Sequence, residues 1–251
     1  MNDQDSIKKF VQTHYAEIAQ NQQTGCCSSS ADCCSGGSHL IQLSDILPQE
    51  NAVIAQADLG LGCGFPVLYA RIKPGDIILD LGSGAGVDVF RAAELTGAEG
   101  FVIGVDLTPE MIARANENAV RGNYSNVEFH QGDIESLPVE DESVDVVLSN
   151  CVINLAPNKE QVFKEIFRVL RHGGRFSVSD IVTYGEVPEE IRNDMLLWAG
   201  CIAGAIDREE YLNIIRQQGF TQLTVNQQIE YSQEDNNRYG IASITVEAIK
   251  P

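Results

Sequence analysis

Positive charge is what this sequence most lacks. Seventeen Lys and Arg stand against 36 Asp and Glu in 251 residues, a formal net charge of −19. No stretch gathers basic side chains into a stripe, so nothing here is built to hold a nucleic-acid backbone. Long apolar runs are missing too, and none approaches the ~20 residues that span a bilayer. Met1 to Gln20 carries charge throughout and has no apolar signal-peptide core. These absences predict a soluble, cytoplasmic chain that acts on a small molecule, with no nucleic-acid or membrane partner. No internal repeat is visible. No apolar surface stripe demands a second subunit, so a monomer is expected. The length suits one large α/β domain with appendages.

Cysteine is not scarce. In a reducing compartment, seven cysteines point to chemistry or soft-ion binding before a disulfide framework. Four of them, Cys26, Cys27, Cys33 and Cys34, sit in the Ser/Gly-rich stretch 25–38, which reads as a loop without a core. A zinc site would prefer C-x-x-C spacing, which adjacent pairs do not offer. An inert linker has no need of thiols. Exposed thiols that exchange with another cysteine fit the stretch best.

The remaining chain alternates strand-like and helical segments. Residues 6–20 have the apolar spacing of an amphipathic helix, and 44–58 read as a second helix with Pro48 near its start. Ile77 to Leu81 is a short apolar run fit for a strand buried on both faces. It leads into Gly82-Ser83-Gly84-Ala85-Gly86 and a helix from Val87 to about Leu95. Strands follow at 101–105, 127–130, 144–149 and 176–181, with a helix from Pro109 to about Val120. Another helix is capped by Asn158 and ends near Gly173-Gly174. Beyond Gly185 the pattern predicts a helix over 188–198, a helix capped by Asp207, and two closing strands at 221–230 and 240–249.

A glycine turn between strand and helix suits a nucleotide-like cofactor. A dinucleotide fingerprint needs a further glycine at position 87, which is Val87. The G-x-G-x-G spacing opened by Asp80 instead resembles class I S-adenosylmethionine (SAM) methyltransferases. That resemblance, over residues 75–182, implies a Rossmann-like α/β sheet with helices on both faces. It implies cofactor contacts from Asp80, Gly82, Ser83, Gly84 and Gly86. Asp106 ends the second strand where a ribose-binding acid belongs, with Leu107 and Met111 beside it. Asp133 and Ile134 would meet the adenine, and Asn150 lies at the carboxyl end of the fourth strand.

The methyl acceptor is suggested outside those motifs. Leu59-Gly60-Leu61-Gly62-Cys63-Gly64, Ser149-Asn150-Cys151-Val152-Ile153-Asn154-Leu155, Ser179-Asp180-Ile181 and Trp198-Ala199-Gly200-Cys201-Ile202-Ala203-Gly204-Ala205 resemble the arsenite methyltransferase family. The resemblance implies that Cys151 and Cys201 bind As(III) and that Cys63 completes the set. Trivalent arsenic is soft and selects thiolates. Its lone pair would attack the SAM methyl in line, and holding both centres together would be the main catalytic contribution. The resemblance further implies a disulfide between Cys63 and a cysteine matching Cys33 or Cys34, with Cys34 favoured by its distance before Cys63. That disulfide would return arsenic to the trivalent state and be reduced by glutathione or thioredoxin. Arsenite or its thiol conjugates are the expected substrates. Two rivals remain: a methyltransferase for a quinone or sterol-like acceptor, with Asp180 or His172 as base, and a non-catalytic soft-metalloid binder. The domain expectation is a thiol-rich segment at 1–45, a SAM-binding domain at 46–183, and a small C-terminal α+β, substrate-binding region at 184–251.

Overall fold

The structure is a computed structural model that describes residues 3–21, 51–233 and 239–251. The thiol-rich stretch and the first part of the helix expected at 44–58 lie outside the described residues. Helix α1 (Asp3–Asn21) is followed by α2 (Ala52–Ala57) and α3 (Pro66–Tyr69). The α/β core then runs β1 (Ile77–Leu81), α4 (Val87–Thr96), β2 (Phe101–Asp106), α5 (Pro109–Gly122), β3 (Val127–Gln131) and β4 (Val144–Asn150). It continues with α6 (Lys159–Val169), β5 (Leu170–Gly185), α7 (Glu189–Arg192), α8 (Met195–Ala199), α9 (Arg208–Gln217), β6 (Thr221–Gln233) and β7 (Tyr239–Ile249).

One seven-stranded sheet takes the order β3-β2-β1-β4-β5-β7-β6. Strands β1 to β5 run parallel, and β7 lies antiparallel between β5 and β6. The closing strands therefore extend the main sheet. Successive residues of β1 face opposite sides, as the strand period requires. Ile78 joins an apolar cluster with Phe90 and Met111, and Leu79 joins another with Phe163 and Tyr211. Helices α4 and α5 thus cover one face, and α6 and α9 the other.

Three expected boundaries move, each for a local reason. Asn51 caps α2 by accepting hydrogen bonds from the Val53 and Ile54 N–H groups, so that helix starts at Ala52. Helix α6 stops at Val169, earlier than the glycine pair. Leu170 already pairs with Val144, and the next pair is Arg175 with Val146. The four residues between, which include Gly173 at φ 78°, are a bulge inside β5. The helix expected at 188–198 is two helices, because the Asp194 carboxylate accepts from the Leu196 and Leu197 N–H groups and starts a new one.

The parallel strands all end on the same edge, where ligands of open α/β sheets bind. Asp80, Asp106, Asn150 and Asp180 all lie at or near that edge. Among the described residues, no helix is long and apolar enough to cross a membrane.

Candidate active site

The turn after β1 is shaped by backbone. Gly82 and Ser83 donate N–H bonds to the Val105 carbonyl at 2.7 and 3.0 Å, locking the turn to β2. Gly82 has φ 66°, and a Cβ there would lie 2.3 Å from Val152 Cγ2. Gly84, at φ 51°, faces open space with nothing within 4 Å of where its Cβ would be. The chain therefore presents bare backbone to a cavity at this point, which is what close approach to a ligand requires.

That cavity is lined by every expected cofactor position except Gly86. Gly86 stands at the N-cap of α4, at φ 99°. Asp106 accepts from the Gly84 N–H at 2.9 Å and the Thr108 N–H at 2.8 Å. Thr108 makes no side-chain cap to α5; it serves Asp106 instead. Burial raises the Asp106 pKa against these donors. The buried Asp80 carboxyl is pushed well above the usual range, by burial and then by Asp88 and Asp106. A ligand with cationic ammonium and sulfonium groups would relieve this crowding of acids, and the ribose hydroxyls would find acceptors in Asp106. The residues present fit SAM.

Helix α1 supplies a wall that sequence patterning left unassigned. Lys8, Val11 and Tyr15 line the cavity. Lys8 Nζ binds Asp133 at 2.7 Å and also pairs with Glu135. Both oxygens of the expected adenine-binding acid thus already hold partners, since Oδ1 accepts from the Glu135 N–H at 2.9 Å. Gln12 Nε2 donates to the Leu107 carbonyl at 3.0 Å, and the Tyr15 hydroxyl donates to the Ala199 carbonyl at 2.9 Å. The apolar spacing that includes Val11 and Tyr15 marked a helix, but nothing in it named the surface beneath.

At the other end of the cavity stand the thiols. Cys151 itself lines it. Cys151 and Cys201 are buried, in one small cluster with Ile181 and Ala205, and Cys63 packs against them half-buried. The loop of Cys63 is held on several sides. Asn150 accepts from the Cys63 N–H at 3.1 Å and donates to the Gly64 carbonyl and to Asp88, each at 3.0 Å. Ser243 donates to the Cys63 carbonyl at 2.6 Å, and Tyr231 to the same atom at 3.4 Å. Asn150 therefore lines the cofactor cavity and positions a thiol at once.

Cys151 and Cys201 both have left-handed backbone, at φ 60° and 62°. For a non-glycine residue this costs about 1–2 kcal/mol, and such strain gathers at functional sites. The Cys201 thiol donates to the Cys151 carbonyl at 2.7 Å. The Cys151 pKa is raised well above the ordinary thiol value, first by hydrogen bonds with Cys201 and Cys63 and then by burial. Burial also raises Cys63. Both rest as neutral thiols at pH 7.

Sequence reasoning counted Asp180 among the residues of the family resemblance but gave it a chemical role only in a rival reading. A carboxylate oxygen of this fully buried residue lies, with Cys63 Sγ and Cys151 Sγ, in a group whose ligand atoms are all within 4.8 Å of one another. Asp180 accepts from the Ile181 and Asn154 N–H groups at 3.0 and 3.1 Å and from the Tyr211 hydroxyl at 3.3 Å. Burial pushes its pKa up to about 7, opposed by the Lys159 ammonium. Cys34, with the other cysteines of its stretch, lies outside the described residues.

The methyltransferase-domain family profile matches residues 72–219. An arsenite methyltransferase of Halobacterium salinarum is 40% identical over 99% of this chain and 68% of its own length. The human arsenite methyltransferase is 35% identical over 85% of this chain, which spans 58% of that relative. Among solved structures, an arsenic(III) S-adenosylmethionine methyltransferase from Chlamydomonas reinhardtii matches with a TM-score of 0.69 and 33% identity. That match covers 80% of this chain and 75% of the other.

Proposed function

Because this chain belongs to the SAM-dependent arsenite methyltransferase family, we propose that it methylates trivalent arsenic held by Cys63, Cys151 and Cys201. The observation that carries the proposal is the junction at Cys151, which lines the cofactor cavity and belongs to the thiol cluster. Two chemistries that must meet are built on one side chain's surroundings.

Arsenite enters as a neutral hydroxide. Each As–S bond that forms takes a thiol proton onto a departing hydroxide, which leaves as water, so the neutral thiols need no base. Three thiolates leave the arsenic lone pair free. When bound, SAM supplies a sulfonium methyl for that lone pair to take in line, with S-adenosylhomocysteine as the by-product. The glycine turn, Asp80 and Asp106 would hold its amino-acid and ribose parts, and Asp133 and Ile134 would bound its adenine. The chain's own contribution is placement and exclusion of water.

The reset of arsenic from the pentavalent to the trivalent state takes two electrons. A cysteine of the 26–34 stretch, Cys34 by preference, would attack the arsenic-bound Cys63 sulfur; the disulfide forms as the As–Cys63 bond breaks, its electron pair stays on arsenic, and only the attacking thiol releases a proton. Glutathione or thioredoxin would return the thiols. In this reading residues 46–183 supply the donor side and the arsenic ligands Cys63 and Cys151, and residues 184–251 complete the acceptor side with Cys201, Tyr231 and Ser243.

The test is incubation with SAM, arsenite and glutathione, followed by separation of arsenic species. Methylated arsenicals and S-adenosylhomocysteine in matching amounts are expected. Stoichiometric arsenite binding with no methylated product would overturn the reading.

A further inference from the structure

Arsenic with three thiolates leaves Asp180 without a role. We propose that Cys63, Cys151 and Asp180 also form a site for a divalent d10 cation of the zinc and cadmium kind, with water in the fourth position.

The donor atoms of these three residues lie within 4.8 Å of one another. In a tetrahedral complex with bonds of roughly 2.0–2.3 Å they would stand roughly 3.5 Å apart, a distance that side-chain rotation reaches. Two thiolates and one carboxylate are a donor set that such cations accept. The carboxylate is aimed by other groups: Asn154 and Tyr211 occupy Oδ2, while Oδ1 takes the Ile181 N–H. Oδ1 keeps a lone pair. Hydrogen-bonded ligand carboxylates of this kind are usual around metals.

Charge also closes. Two thiolates and a carboxylate carry three negative charges, the cation two positive, and the buried Lys159 ammonium, which interacts with Asp180, one more. Cys201 stays outside this set, its thiol on the Cys151 carbonyl. Arsenic and the cation thus share Cys63 and Cys151 and differ in the third partner: Cys201 for arsenic, Asp180 for the cation. The cation site rests on geometry alone; competition with arsenite rests also on the proposed function.

The experiment uses the full chain with Cys26, Cys27, Cys33 and Cys34 replaced by Ser, so that three thiols remain. Cadmium chloride is titrated while thiolate-to-cadmium charge-transfer absorption is followed. One cadmium per chain is expected, and X-ray absorption on this parent should show two sulfur and two lighter neighbours. Asp180→Asn should weaken cadmium at least tenfold, and Cys201→Ser less than twofold. A three-sulfur shell, or equal affinity in parent and Asp180→Asn, would overturn the site; the shell decides even where Asp180→Asn does not fold. Arsenite at one equivalent should then bleach the cadmium band. A two-sulfur site that arsenite fails to displace would uphold the cation site and count against the arsenite reading.

Discussion

The two ends of the cleft are built by different means. At the donor end, backbone does the shaping: a glycine turn tied to Val105 and an Asp106 carboxylate held by two N–H groups. At the acceptor end, side chains do it, and the backbone is strained to present them, with Cys151 and Cys201 both at positive φ. A backbone cradle recognises a shape common to many reactions, whereas clustered thiols suit soft, thiophilic centres. Fold similarity therefore speaks for the first end and says little of the second.

If the ends are separable, variants should break one and spare the other. The largest effect belongs to Cys151→Ser or Cys201→Ser. Either should reduce arsenite methylation by at least about 100-fold, roughly 3 kcal/mol in transition-state terms, while SAM binding measured by calorimetry changes less than about threefold. A comparable loss of SAM affinity would show that the ends are not independent.

Next in size is a pH effect to which the acceptor end contributes through Asp180. Asp180 titrates from 3.8 to about 7 on burial, so between those values the folded chain holds a proton that the unfolded chain has released. Stability should fall as pH rises through that window and level off above it. At roughly 1.4 kcal/mol per unit the change amounts to a few kcal/mol. Urea unfolding at pH 5 and pH 8 should show this fall in the native chain and a smaller one in Asp180→Asn. Equal slopes would remove Asp180 from the account.

At the donor end, Gly82→Ala puts a methyl against Val152 and demands an unfavourable φ. Loss of SAM affinity by about tenfold or more is expected, with arsenite binding preserved; the price of that φ alone is about 1 kcal/mol. The smallest effect is Ser243→Ala, which removes one bond to the Cys63 carbonyl. A net hydrogen bond of about 1 kcal/mol corresponds to about a fivefold rise in the arsenite concentration for half-maximal rate, with the SAM requirement unmoved. Ser243→Thr should restore part of it.

The donor end was legible because its signal is local: strand, turn and helix follow one another between Ile77 and Thr96. The seven-strand order was not, since β7 enters beside β5 through pairings remote in sequence. The nearness of Asp180 to the thiols has the same origin. It depends on the pairing of Asn150 with Ser179, which sets Cys151 beside Asp180 across neighbouring strands. The split of the 188–198 helix was written in Asn193-Asp194, but helical spacing across those residues outweighed one capping acid. What α1 covers depended on tertiary contacts, Lys8 with Asp133 and Tyr15 with Ala199, that no periodicity encodes.

The left-handed backbone at Cys151 and Cys201 has a bearing on descent. At both places the main chain would relax by about 1–2 kcal/mol if glycine took over, so mutation there meets little resistance from the backbone. On the proposed function, thiols at such positions are kept by what they bind. A lineage freed from that demand would lose them early, and its sheet, turn and cleft would persist as a sturdier shell with nothing left to grip.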